Sequence, residues 1–120
     1  MFVGAVLGFI AAWMIQVQGE KSMAKANLLV AGEALHSGDL VMSMLHAQAI
    51  IAHAPQAYDG YESVGDVYAK QGNTEGAKRM YEFAVQKLSS GGTEALLVQE
   101  GVNSVSTATQ LLQRKIASLQ

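Results

Sequence analysis

The chain contains no cysteine and one proline, and only 15% of its 120 residues are charged. Without cysteine there is no disulfide scaffold and no thiolate-based zinc or redox centre, although the redox compartment stays open. So few charges, with half of the residues hydrophobic, exclude intrinsic disorder, which needs the reverse balance. A net charge of −2 argues against a dedicated nucleic-acid binder, which needs a basic face to neutralise phosphates. Aromatic residues make up 7% of the chain while glycine numbers 12, a composition that suits closely packed helices. The length points to one domain with a small appendage.

The hydrophobic excess is concentrated at one end. Met1 to Gly19 carries no charged side chain, and from Glu20 onward the chain reads as an ordinary soluble protein. Nineteen helical residues at ~1.5 Å each span about 28 Å, close to the hydrocarbon thickness of a bilayer. Residues 1–19 therefore read as a single transmembrane anchor, with Gln16 and Gln18 marking the exit toward water. A cleavable signal would have a basic start and a small-residue cleavage site, and neither is present. Gly4, Gly8 and Ala12 recur every four residues and form one small-residue ridge, against which a second membrane helix can pack closely. Lys21 and Lys25 flank the carboxyl side, which by the positive-inside rule favours a cytoplasmic location for the remainder.

Residues 20–120 read as helices, an all-α domain. Helix formers run from Ala24 to Leu35 and stop at Ser37-Gly38. Asp39 caps a second helix, Leu40 to His53, which ends at Ala54-Pro55. A third runs from Ala57 or Asp59 to Lys70, and a fourth from Thr74 to Leu88, after the turn Gln71-Gly72-Asn73. Each break carries glycine, proline or a capping residue. No segment alternates with a period of two, so strands are not expected. Beyond Gly92 a stripe of Leu96, Leu97, Val98, Val102, Val105, Leu111, Leu112, Ile116 and Leu119 continues the helical pattern. Gly101 and the polar stretch Ser104 to Thr109 are expected to divide it into two helices.

A period of 34 residues runs through the centre. Gly38 and Gly72 are separated by it, as are Ala31 and Gly65, Ala47 and Tyr81, and Pro55 and Ser89. In the second unit, 58–91, Tyr61, Val64, Gly65 and Tyr68 stand on the first helix and Ala77, Tyr81 and Ala84 on the second. This pattern resembles the tetratricopeptide repeat, a 34-residue helix–turn–helix unit. Residues 24–57 are a degenerate version that keeps Ala31, Gly38, Ser43, Ala47 and Pro55 without the aromatics. Residues 92–120 read as divergent helices capping the open end. In this pattern Gly65 and Ala77 let the paired helices approach, while Tyr61, Tyr68 and Tyr81 fill the volume between units.

Catalytic motifs are lacking. There is no phosphate-binding glycine loop, no His-Glu-x-x-His and no Gly-x-Ser-x-Gly. Glu33 and His36 share one helix face, as in iron-binding bundles, but those sites need a second such pair. No metal site, cofactor or enzymatic activity is expected, and His36, His46 and His53 read as surface or packing residues. The resemblance instead implies a concave groove lined by the first helix of each unit. It would carry Lys25, Leu28 and His36 from the first unit and Asp59, Glu62, Asp66 and Lys70 from the second. The three carboxylates share a helical stripe and would attract a basic peptide segment.

Two functions from different classes follow. One is a membrane-anchored interaction module, a scaffold or accessory subunit whose partners are other protein subunits, including a membrane helix. The other is a structural subunit of a helical filament, in which the apolar helix packs against its own copies.

Overall fold

The computed structural model describes residues 22–90 and 105–119. Among them every regular element is a helix: α1 (22–37), α2 (Leu40–His53), α3 (Asp59–Lys70), α4 (Thr74–Ser89) and α5 (Val105–Ala117). The expected boundaries of α2 are reproduced, α3 starts at the later of the two alternatives, and α4 runs one residue further. α1 exceeds the expected 24–35 at both ends. The anchor assigned to 1–19, with Gly4, Gly8 and Ala12, lies outside the described residues. No described helix is long and apolar enough to cross a membrane.

The turns show why the chain reverses where it does. Gly38 and Gly72 adopt φ of 87° and 80°, in the left-handed region that glycine enters without a Cβ clash. After each, the next amide reaches back to close the helix end. Asp39 N–H donates to the Ala34 carbonyl and Asn73 N–H to the Tyr68 carbonyl, both at 2.9 Å. Gly38 and Gly72 N–H donate to Leu35 and Ala69, completing the paired bonds of a Schellman motif. Asp39 and Asn73 then cap the following helix, accepting from Met42 N–H and Gly76 N–H. Every one of these contacts recurs 34 residues later.

α2 packs on α3, α3 on α4 and α4 on α5, hydrogen bonds tie α2 to α1, and each tight turn makes an antiparallel pair. In the first pair, Asn27 lies opposite His46 and Ala31 opposite Ser43, whose hydroxyl donates to the Ala31 carbonyl at 2.8 Å. In the second, Gly65 faces Tyr81: a Cβ there would stand 2.6 Å from the ring. The close approach needs the missing side chain. Ala77 and Ala84 are fully buried on the facing helix.

α5 covers the far side of the second pair. Its Ala108 and Leu112 join Tyr58, Ala77, Tyr81, Ala84 and Leu88 in one apolar cluster, with Leu111, Ile116 and Leu119 against its edge. The expected break across Ser104 to Thr109 is corrected here, because Val105 onward is already helical and Ala108 is buried. The hydroxyl residues occupy the first turns, where side-chain oxygens compete least with the helix. Leu96, Leu97, Val98 and Val102 lie outside the described residues.

Candidate functional site

The short turns leave α1 and α3 side by side with α2 behind them, and a cleft of about 400 Å³ opens there. Leu28, Ala31, Gly32 and Leu35 from α1 form much of its wall, with Leu29 and Glu33 on the same helix. Ser43 comes from α2, and Ser63 and Asp66 come from α3. The wall is mainly apolar, and two carboxylates mark its border. Gly32 is exposed and has open space where a side chain would stand.

Of the residues expected to line a groove, Leu28 and Asp66 do so. Lys25, His36 and Lys70 are exposed elsewhere. The acidic stripe needs correction. Asp59 is 0% and Glu62 2% exposed, so neither offers a charge to an approaching segment. Both are enclosed within the fold, and α5, packed against α4, reaches α3 with a cation of its own.

That cation is Lys115. Its Nζ donates to Asp66 Oδ1 at 2.9 Å and Oδ2 at 3.2 Å, and lies 3.2 Å from Glu62 Oε2. The Tyr81 hydroxyl donates to Asp66 Oδ1 at 2.6 Å, and Lys115 Nζ sits 5.7 Å from the Tyr81 ring centroid, within cation–π range. Burial by itself lowers the ammonium's pKa, but the charges of Asp66 and Glu62 outweigh it and hold Lys115 above its usual range. Burial, reinforced by Asp66, pushes the Tyr81 phenol well above its usual range. Burial, reinforced by Asp59 and Glu62, does the same to Tyr58. Both phenols therefore stay protonated and act as donors, and the cluster holds α3, α4 and α5 together.

The packing residues are distributed as follows. Gly65, Ala77, Tyr81 and Ala84 meet between α3 and α4. Tyr68 packs against the edge of the same cluster. Tyr61 packs against that cluster as well, and its hydroxyl donates to the Pro55 carbonyl in the loop before α3 at 3.2 Å. Phe83 lies 6.2 Å from the Tyr61 ring and Lys87 Nζ 5.6 Å from it.

Sequence reasoning missed Lys115, Gly32, Leu29 and Ser63. Lys115 had a signal, since Arg114 and Lys115 are the only cations after Gly92 and the buried carboxylates of α3 need one. The cleft residues had none beyond their place on the first helices. Among the described residues no group of three histidine, aspartate or glutamate side chains converges to hold a metal.

The comparisons add no relative. No family model, curated protein or solved structure matches this chain.

Proposed function

We propose that this chain is a membrane-anchored interaction module, a scaffold or accessory subunit that receives a segment of a partner protein between α1 and α3. In this reading residues 1–19 are the anchor, and the two hairpins are tetratricopeptide-like units closed at one end by α5. The conformational match of the two turns, 34 residues apart, supports the repeat reading. The observation that carries the function is the cleft itself, with a largely apolar wall bordered by Glu33 and Asp66. Such a wall suits an apolar side chain next to a lysine or arginine. Lys115 already neutralises part of the acidic stripe, so the apolar wall dominates recognition and charge orients the segment.

The test is purification of the tagged full chain in mild detergent, followed by identification of the chains that come with it. Gly32→Trp fills the cleft at an exposed position and leaves the helix packing alone. The reading expects stoichiometric companions with the natural chain and their loss with Gly32→Trp. A chain that purifies alone, or companions indifferent to Gly32→Trp, overturns it.

A further inference from the structure

The two hairpins differ on their outer faces. Along α4, Glu75, Lys78, Arg79 and Glu82 line a solvent-facing patch. Thirty-four residues earlier, the same places on α2 hold Val41, Met44, Leu45 and Gln48. Val41 is 84% exposed and Leu45 61%, with Met42 exposed beside them. α2 contains no aspartate, glutamate, lysine or arginine along its whole length. Ser43 and His46 are turned toward α1 and engaged there with Ala31 and Asn27, His53 closes the last turn, and Gln48 is the polar residue exposed on the outer face. A helix with no charged side chain and apolar residues on both sides belongs in a largely apolar setting, yet α2 has one side bare. In the second hairpin the equivalent side stays bare although helices pack before and after it. Stacking a further repeat would therefore not cover it.

What covers it follows from where the apolar amino-terminal run ends. Gly19 lies three residues before the first described residue of α1, a reach of at most about 10 Å. The antiparallel pairing of Asn27 with His46 sets the end of α2 beside the start of α1. With 1–19 in the bilayer, the α1–α2 hairpin is held at its surface. A second copy of the chain is the poorer occupant. A stable dimer needs about 800 Å² from each partner, and three large side chains on one face of a 14-residue helix fall well short. A tethered hairpin needs no such area, because the anchor already supplies a high local concentration of lipid.

We propose that the outer face of α2, centred on Val41 and Leu45, lies against the lipid bilayer, so that the hairpin rests along the membrane surface and α4 faces water. This inference rests on the anchor reading. With no cation on α2, the contact does not require anionic lipid.

The absence of cysteine permits a direct test. Single variants Leu45→Cys, Arg79→Cys and Ile10→Cys of the full chain are labelled with a small fluorophore and reconstituted into phosphatidylcholine vesicles doped with nitroxide lipids. The expected result is strong quenching at position 10, and quenching at position 45 several-fold above that at 79. Quenching at 10 with 45 no different from 79 overturns the proposal and leaves the anchor standing. No quenching at 10 removes the anchor reading and this proposal with it. Cross-linking through position 45 without lipid quenching there assigns the face to a second copy and overturns the proposal. Leu45 is mostly exposed, so its substitution does not threaten the fold, and unchanged helical circular dichroism verifies this.

Discussion

The two hairpins share a backbone and differ in how they fill it. Gly38 and Gly72 turn the chain in the same way, and Asp39 and Asn73 cap the next helix alike. Inside the first pair, small residues meet: Ala31 and Ala47 are buried, and Ser43 bonds to the opposing backbone. Inside the second, Gly65 stands where the first has Ala31 and Tyr81 where it has Ala47, so the helix that lost a methyl faces the one that gained a ring. The missing side chain on one helix leaves room for part of the ring on the other, so the two positions change together in a close-packed interior. The outer faces diverge for another reason. α4 presents charge to water, while α2 presents valine and leucine.

The hardest blow to this comparison is Gly65→Leu. A Cβ at Gly65 already meets the Tyr81 ring, which Asp66 holds by its hydroxyl, so overpacking should destabilise the domain by about 3 kcal/mol. A thermal melt checks the sign: a raised Tm would mean that the pair is not closely packed there. Combining it with Tyr81→Ala should recover part of the loss, a non-additivity expected of residues in contact.

Next in size is Lys115→Met. It removes the ammonium from beside Glu62, whose side chain is 3% exposed, and from Asp66, while Lys115 itself is 35% exposed. Discounting for that exposure, the loss should be about 1–2 kcal/mol in urea unfolding. The pH dependence has a definite sign. The folded values of Lys115, Tyr58 and Tyr81 all lie above their ordinary 10.5, 10.0 and 10.0. Each contributes stability that is present below its ordinary value and is lost as pH climbs through the folded one. Unfolding monitored from neutral pH upward should show destabilisation setting in above pH 10, with a smaller alkaline slope in Lys115→Met. A flat profile there would contradict the cluster.

Gly38→Ala and Gly72→Ala probe what the hairpins share. Each forces an L side chain into the left-handed region and should destabilise by about 1 kcal/mol. Near-equal values in chemical denaturation sharpen the equivalence of the turns, whereas a large inequality breaks it. The smallest effect belongs to Val41→Glu with Leu45→Arg, which gives α2 the side chains α4 carries at the same places. Both positions are exposed, so stability should change by less than about 0.5 kcal/mol while solubility improves. A strongly destabilised double variant would mean that the outer face of α2 is part of the core.

Most of the fold could be read locally. Leu40–His53 is bounded by an N-cap aspartate and by Ala54-Pro55, and Thr74–Ser89 begins after Gly72-Asn73. These signals act within a few residues and so survive in a single sequence. The groove was less legible. Asp59, Glu62, Asp66 and Lys70 do lie on one helix at spacings of three and four, but periodicity states which residues share a face and not what lies across from it. The polar run after Gly101 misled for a related reason, since hydroxyl residues suit a helix start as well as a loop.

The sequence by itself determined that the described chain is helical, where its helices reverse and which residues sit inside each hairpin. Turns, caps and apolar periods are set by neighbours along the chain. Only the tertiary structure decided that α5 packs on α4 and reaches Glu62 and Asp66 with Lys115, 49 residues from Asp66. It alone brought α1 and α3 together to open a cleft, and it alone left one side of α2 bare. Those outcomes depend on contacts between distant residues, where burial and charge pairing are settled by which surfaces meet, and no local pattern encodes that meeting.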